Sequence, residues 1–372
     1  MSGRGSRPLR VLMLTGFPAI GGPLPKLAPL MADGLRRCGC EVAITGWSAH
    51  TAGHEPLSAK VLGRANDLLR VHRCLRSLRP DVVYVATSHN WRGLLRDVPL
   101  ALSVRSGRPP LVVHLHGSQS NRLEADGNRL LKALSRILAR RAAVVLLLST
   151  EEQVEWQRFA SDASYEVVVN PFVPAVPGFV REPQPAGHTP TLLTVARLTP
   201  EKGVFDLLDA FAMVRRERPC RLVIAGRGPA AEELARRASL MGIDDSVELL
   251  GYVSGADLDR VYREADVFVL PSYFEGFPVA VTEAMGYSLP VITTRIRGCA
   301  DHLVQGEHVL FVPPRRPEVL AEEIKRLLDD ETLRERMGRA NLAKVATFAP
   351  DRVMPPYADV MRTAAASCAH TA

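Results

Sequence analysis

The sequence predicts an α/β fold of two doubly wound domains facing across a cleft. Three observations predict it. Apolar runs of strand length alternate with helical periodicities along the 372 residues. A Pro/Gly-rich stretch at residues 171–190 interrupts the alternation, which then restarts. The chain is also too long for a single core. Parallel sheets covered by helices on both faces account for the alternation. Ligands of such sheets bind beyond the carboxyl ends of the strands, which for two domains means the cleft between them.

Six strands are expected in the first half, at Val11–Leu14, Val42–Thr45, Val82–Ala86, Leu111–Leu115, Val144–Leu148 and Val167–Val169. Each is a short apolar run, the pattern of a strand buried on both faces. Helical spacing of apolar residues fills the gaps, for example at Leu27–Arg37, Leu68–Leu78 and Leu130–Leu138. Pro174, Pro177, Pro183 and Pro185 then mark a linker. The second set of strands is expected at Leu192–Val195, Leu222–Ala225, Val247–Leu250, Val267–Leu270, Val291–Thr293 and Val309–Val312. Helices at Pro317–Leu328 and Leu333–Val345 precede a helical tail from Asp351. The domains are therefore placed at residues 1–178 and 186–348, with 349–372 as a closing helix.

Composition narrows the class. With 47% hydrophobic and 23% charged residues, the chain reads as an ordinary soluble globular protein. The longest apolar run, Ala142–Leu148, is far short of a membrane span. The basic start, Met1–Arg10, leads into Val11-Leu12-Met13-Leu14 and reads as the approach to a strand, not a signal sequence. The six cysteines are scattered and form no C-x-x-C pair, which suggests reduced thiols in a cytoplasmic protein. Charge is uneven. Residues 1–180 carry 23 Lys+Arg against 13 Asp+Glu, and the remainder carries 24 against 27. The first half should attract anionic surfaces or substrates, with no nucleic-acid partner expected.

The most informative segment is Ser272-Tyr273-Phe274-Glu275-Gly276-Phe277-Pro278, with Glu283 beyond it. A strand runs into a Gly-containing turn, and Pro278 sits where a helix begins. Amides of such a turn and the helix dipole form an anion site. Glu275 lies beside it and Glu283 eight residues on. Such a turn can hold a phosphate while two carboxylates accept hydrogen bonds from hydroxyls, and a sugar nucleotide offers both groups. Arg197 and Lys202 follow another strand and flank Leu198-Thr199-Pro200-Glu201, just before a helix that begins near Val204. Two cations there suit a diphosphate; a solvated basic turn is the plain alternative.

Other patterns are weaker. Gly226-x-Gly228-x-x-Ala231, with Glu248 downstream, matches the dinucleotide fingerprint in form. It opens no first strand, and Pro229 stands inside it, so a turn lining a nucleotide pocket is the better reading. Gly16 and Gly21-Gly22 follow the first strand without completing a phosphate-loop pattern. In His114-x-His116-Gly117, His114 reads as a core histidine, while His116 stands at the strand's carboxyl end. No third ligand lies nearby for zinc. Asp257-Leu258-Asp259 resembles a metal-binding D-x-D pair, but acidic residues at a helix start are explained by capping and the dipole. Two basic amphipathic helices, around Leu68–Leu78 and Leu130–Leu138, suit either a solvated face or an anionic membrane.

Taken together, Arg197 through Lys202, Gly226-Arg227-Gly228-Pro229, Gly251-Tyr252-Val253 and Glu275 through Glu283 resemble the donor-site signature of the GT-B retaining glycosyltransferases of family 4, glycosyl transferases group 1. The two glutamates match that family's E-x7-E motif. The resemblance is close over residues 190–345 and looser over 1–180, where Gly21-Gly22, His116 and Asn170-Pro171 fit its landmarks. Cys40 stands where the family usually has histidine.

The resemblance implies a nucleoside-diphosphate sugar as donor, UDP-linked first and GDP-linked next, with no cofactor and no essential metal. Arg197 and Lys202 would bind the diphosphate, assisted by backbone around Gly22, Gly276, Phe277 and Pro278. Glu283 would accept hydrogen bonds from the ribose. Gly226, Arg227, Tyr252 and Val253 would border the base. Glu275 would hold hydroxyls of the transferred sugar, which His116 would approach from the other domain. Transfer would retain anomeric configuration. The acceptor would be a glycan, a lipid-linked intermediate or a small molecule, as in bacterial polysaccharide assembly, with peripheral contact on the inner face of a membrane as an option. The competing readings are a sugar-nucleotide epimerase of the same fold and a degenerate nucleotide-sugar-binding partner protein. The closing helix would pack back on the first domain.

Overall fold

The strand runs assemble into two sheets, each of six parallel strands among the described residues. The computed structural model describes residues 7–16, 23–47, 57–104, 109–118, 120, 123, 128–182, 184–185 and 187–370. Gly22 and its neighbour Gly21 lie outside them.

The first sheet holds β1 (Leu9–Thr15), β2 (Cys40–Gly46), β3 (Val82–His89), β4 (Leu111–Ser118), β5 (Val144–Leu147) and β6 (Tyr165–Val167), in the order β2-β1-β3-β4-β5-β6. The expected strand at Val167–Val169 is corrected by two residues: Tyr165 pairs with Val145 and turns inward, where its hydroxyl donates to the Ala160 carbonyl. α1 (Pro23–Arg37) covers one face of this sheet. α2 (Leu57–Leu78), α3 (Trp91–Ser103), α4 (Arg129–Arg141) and α5 (Thr150–Phe159) contribute to the core on the other. α2 is twice as long as the apolar spacing of residues 68–78 indicates.

The second sheet holds β7 (Thr191–Val195), β8 (Arg221–Ala225), β9 (Val247–Gly251), β10 (Val267–Leu270), β11 (Val291–Thr294) and β12 (Val309–Val312), in the order β12-β11-β10-β7-β8-β9. Its helices are α6 (Val204–Glu217), α7 (Ala231–Leu240), α8 (Ala256–Glu264), α9 (Val279–Gly286), α10 (Arg297–His302), α11 (Pro317–Asp329) and α12 (Glu331–Val345). All four residues of β10 and of β11 are buried, as central parallel strands require. The strand order reverses between β7 and β10, where Leu192 pairs with Val267 and Leu193 with Phe268. The chain leaves these neighbours toward opposite faces, so a crevice opens beyond their carboxyl ends.

The closing helix, α13 (Pro350–His370), belongs with the first sheet. Met354, Tyr357, Ala358 and Met361 are buried in the α1 core. A Cβ at Gly34 would meet Met354 Cγ at 2.3 Å, so glycine is what lets α1 and α13 approach. The chain divides into Met1–Pro171 with Phe348–Ala372, and Phe172–Thr347. All of the proline-rich segment after Pro171 thus falls in the second unit, where Phe179 packs edge-on against Tyr287.

Candidate active site

Two neighbouring loops of the second unit meet at the point where the strand order reverses. The loop after β7 carries Arg197 and a 3₁₀ turn, Pro200–Lys202. The loop after β10 carries Ser272 through Pro278. Lys202 Nζ pairs with Glu275 Oε1 across them, and Ser272 donates to the same oxygen at 3.4 Å. The Tyr273 amide donates to the Glu201 carbonyl at 2.8 Å, and the Tyr273 hydroxyl to Asp206 at 2.9 Å. Gly203 makes the approach possible. It is left-handed (φ 67°), and a Cβ there would lie 2.1 Å from the Pro271 carbonyl oxygen. Arg197 is exposed, and its side chain has no hydrogen-bond or ion-pair partner among the described residues.

Pro278 is the cap before α9 rather than its first residue, with φ −66° and ψ 124°. The first amides of α9 have no intrahelical partner and open beside Gly276. The Gly276 carbonyl is taken by the Gly298 amide at 2.8 Å, which fixes the turn against α10. Phe277 is buried against His302. Glu283 lies within α9 and accepts a hydrogen bond from the Tyr262 hydroxyl at 2.8 Å.

The glycine turn after β8 completes the group of loops. A Cβ at Gly226 would fall 1.7 Å from the Ala196 carbonyl oxygen, and one at Gly228 would fall 2.1 Å from that of Leu198. The Leu198 amide donates to Arg227 O and the Gly226 amide to Gly251 O. These glycines are therefore used up by packing against the Arg197 loop. This favours the pocket-lining turn over the dinucleotide fingerprint. Arg227 and Tyr252 are exposed and Val253 is half-buried.

The arrangement offers two cations, a helix start and two carboxylates around one crevice. Comparison with known proteins says what it is similar to. Residues 179–343 match the family described as glycosyl transferases group 1. That stretch of the second unit is similar to glycosyl transferases group 1. Alpha-D-kanosaminyltransferase of Streptomyces kanamyceticus is 30% identical over 246 residues, 62% of this chain, and the match spans 64% of that relative's length. Two solved structures share the GT-B fold of this chain at 18% identity. Sucrose-phosphate synthase from Thermosynechococcus elongatus has a TM-score of 0.79, with 96% of this chain and 100% of that one covered. Anabaena HepE in complex with UDP has a TM-score of 0.72, with 95% and 100% covered.

His116 lies on β4 of the first unit, and Lys202, Glu275 and Glu283 lie in the second. The His116 ring packs on His114 with centroids 3.8 Å apart, and its Nε2 is buried without a hydrogen-bond partner. Burial pushes its pKa down to about 3, so the imidazole is neutral at ordinary pH. His114 is fully buried, shares a 2.6 Å hydrogen bond with the Tyr84 hydroxyl, and contacts the Tyr357 ring of α13. Asp257 and Asp259 occupy the first turn of α8. Asp259 accepts from Arg263 and from the Tyr287 hydroxyl, each at 2.6 Å.

Two site neighbours escape the sequence reading. One is Tyr262, the partner of Glu283. The other is Arg297, 2% exposed, which lays its guanidinium 3.9 Å from the Phe274 ring centroid. Arg297 has φ 42°, a left-handed conformation that costs a non-glycine residue roughly 1–2 kcal/mol. Such strain gathers at functional turns. No local pattern marks either residue, because both act through partners distant in sequence.

Proposed function

We propose that the chain transfers a sugar from a nucleoside-diphosphate sugar to an acceptor, with retention of anomeric configuration and without a metal cofactor. The observation that carries this reading is the meeting of Lys202 and Glu275 from adjacent loops at the strand-order reversal. A diphosphate needs the first and sugar hydroxyls need the second.

In this reading Arg197 and Lys202 hold the diphosphate, with the Gly276–Phe277 turn and the start of α9 behind them. Charge grows on the diphosphate as the sugar becomes oxocarbenium-like, and fixed cations stabilise that change. Glu275 accepts from hydroxyls of the transferred sugar and Glu283 from the ribose. Arg227, Tyr252 and Val253 border the base. His116, kept neutral by burial, serves the sugar as a hydrogen-bonding group and not as a cation. Gly22 is assigned to the donor as well. The UDP named for the HepE structure supports a UDP-sugar as first choice, with a GDP-sugar next.

We further propose that the acceptor side works at an anionic membrane surface, facing the cytoplasm, with a lipid-linked acceptor as one candidate. The outer faces of α2, α3 and α4 support this. Leu62, Leu69, Leu95, Leu102 and Leu130 are 51–66% exposed there. Basic side chains surround them, whereas both acids of these helices, Asp67 and Asp97, are buried. Leu130, on the apolar side of this helix by spacing, is exposed, whereas Leu131, Ser135, Leu138 and Ala139 take the core side of α4. Among the described residues no helix is long and apolar enough to cross a membrane.

The test is release of nucleoside diphosphate from UDP- and GDP-sugars in EDTA, with the anomer of the transferred sugar read by NMR. Retained configuration is the expected result. Inversion, or release only with a divalent cation, would contradict the proposal.

A further inference from the structure

Glu283 does not stand alone in its helix. Tyr262, 1% exposed on α8, donates its hydroxyl to Glu283 Oε2 at 2.8 Å. Burial and the Glu283 carboxylate push the Tyr262 hydroxyl well above its ordinary pKa, so it stays a donor throughout the physiological range. The Tyr262 ring stacks on Tyr287 with centroids 5.1 Å apart and planes 6° from parallel. Tyr287 is anchored in turn by its hydroxyl on Asp259 at 2.6 Å.

The far side of this pair is closed by the segment that enters the second unit. Phe179 packs edge-on against Tyr287 with centroids 5.4 Å apart. The Arg181 guanidinium donates to the carbonyls of Tyr262, Arg263 and Tyr287 at 3.2 Å and of Ala265 at 2.7 Å. These carbonyls end α8 and α9, where a cation is favoured by the helix dipole. One arginine therefore ties the helix bearing Tyr262 to the helix bearing Glu283.

We propose that Tyr262 is a positioning residue for Glu283, and that Phe179 and Arg181 clamp it in place. The proposal rests on the reading of Glu283 as the acceptor of ribose hydroxyls. A glutamate side chain has three rotatable bonds, and its ordering costs free energy on binding. With Oε2 held by Tyr262, that ordering is made before a diol binds. The segment from Phe179 to Arg181 thereby acts on the nucleotide affinity of the second unit without touching the nucleotide.

The test is calorimetric binding by the full chain of UDP, or GDP if UDP does not bind, and of the 2′,3′-dideoxy analogue. Wild type should prefer the ribose form. Tyr262→Phe keeps the stacked ring and removes only the donor. It should weaken ribose-form binding by about tenfold, the scale of one hydrogen bond to a charged group, and leave the dideoxy form nearly unchanged. Phe179→Leu should give a smaller loss with the same selectivity for the ribose form, and it serves if Tyr262→Phe does not fold. Glu283→Gln should remove the preference altogether. If Glu283→Gln removes it while Tyr262→Phe and Phe179→Leu keep it in full, the positioning role is overturned and the ribose role stands. If wild type shows no preference, or Glu283→Gln retains it, the ribose role fails and the positioning role falls with it.

Discussion

Lys202 and Glu275 form an ion pair that joins the loop after β7 to the loop after β10. Both side chains are about one-fifth exposed, so the pair is neither a surface contact nor a sealed one. The two groups assigned to opposite halves of the donor are each other's partner. In the proposed reading, an incoming diphosphate would take Lys202 from Glu275 and free that carboxylate for hydroxyls. Lys202→Ala is expected to lower turnover by at least about 100-fold, the scale of a lost transition-state charge, in a folded protein. Glu275→Gln is expected to lose turnover yet bind free nucleoside diphosphate as tightly as wild type or more so, because a competing anion is gone. Steady-state kinetics and calorimetry check both. Full turnover by a folded Lys202→Ala protein would remove it from the mechanism. Loss of nucleotide binding in Glu275→Gln would make that residue a donor anchor.

The loops depend on glycines that nothing else can replace. Gly228→Ala is expected to cost about 3 kcal/mol, because its Cβ would drive into the Leu198 backbone, which cannot swing aside as a side chain can. Gly242→Ala is the control. Gly242 follows the end of α7 at φ 67° with open space around it, so only the conformational cost of a positive φ, roughly 1–2 kcal/mol, applies. Denaturant unfolding of the two variants measures the difference, and equal losses would refute the packing argument.

Much of this was legible in the sequence. Strand positions were readable because a strand buried on both faces leaves a continuous apolar run. The site loops were readable because Glu275, Glu283, Arg197 and Lys202 sit at fixed distances from those runs. What could not be read depends on contacts distant in sequence. Gly203 looks like any turn glycine until Pro271 is seen against it. Arg181 sits in a segment whose prolines suggest only a linker, yet four carbonyls from two helices define its place. Leu130 falls on an apolar stripe by spacing, and only packing shows that Leu131 takes the buried position.

Acid should destabilise the first unit through its paired histidines. The pKa of His116 is pushed down to about 3 and that of His114 is lowered as well, in both cases chiefly by burial. The unfolded chain takes up protons near pH 6.5 and the native state does not, so the unfolded state binds more protons below that pH. Stability should therefore be flat above about pH 7 and fall as pH drops from about 6.5 toward 3, by about 1.4 kcal/mol per unit for each histidine. His116→Asn should reduce that slope. Chemical denaturation between pH 4 and pH 8, about the span in which histidine changes charge, tests it. An unchanged slope would mean that His116 titrates normally.

Vesicles test the membrane proposal. Binding to phosphatidylglycerol-containing vesicles is expected, weakening as salt screens the arginines. Leu62→Asp with Leu95→Asp should abolish it without changing nucleotide affinity, since both are exposed on outer helix faces and neither is assigned to the donor. Salt-insensitive or absent binding would leave these helix faces as ordinary solvated surface.

The most direct measurement is binding of UDP, GDP, ADP and NAD to the full chain, each in EDTA, followed by thermal stabilisation. A ligand bound only by the folded state raises stability in proportion to ln(1 + [L]/Kd). The account predicts a clear shift with one nucleoside diphosphate, none with NAD, and a much smaller shift in Lys202→Ala. A shift with NAD alone would contradict it and make the Gly226 turn a dinucleotide site.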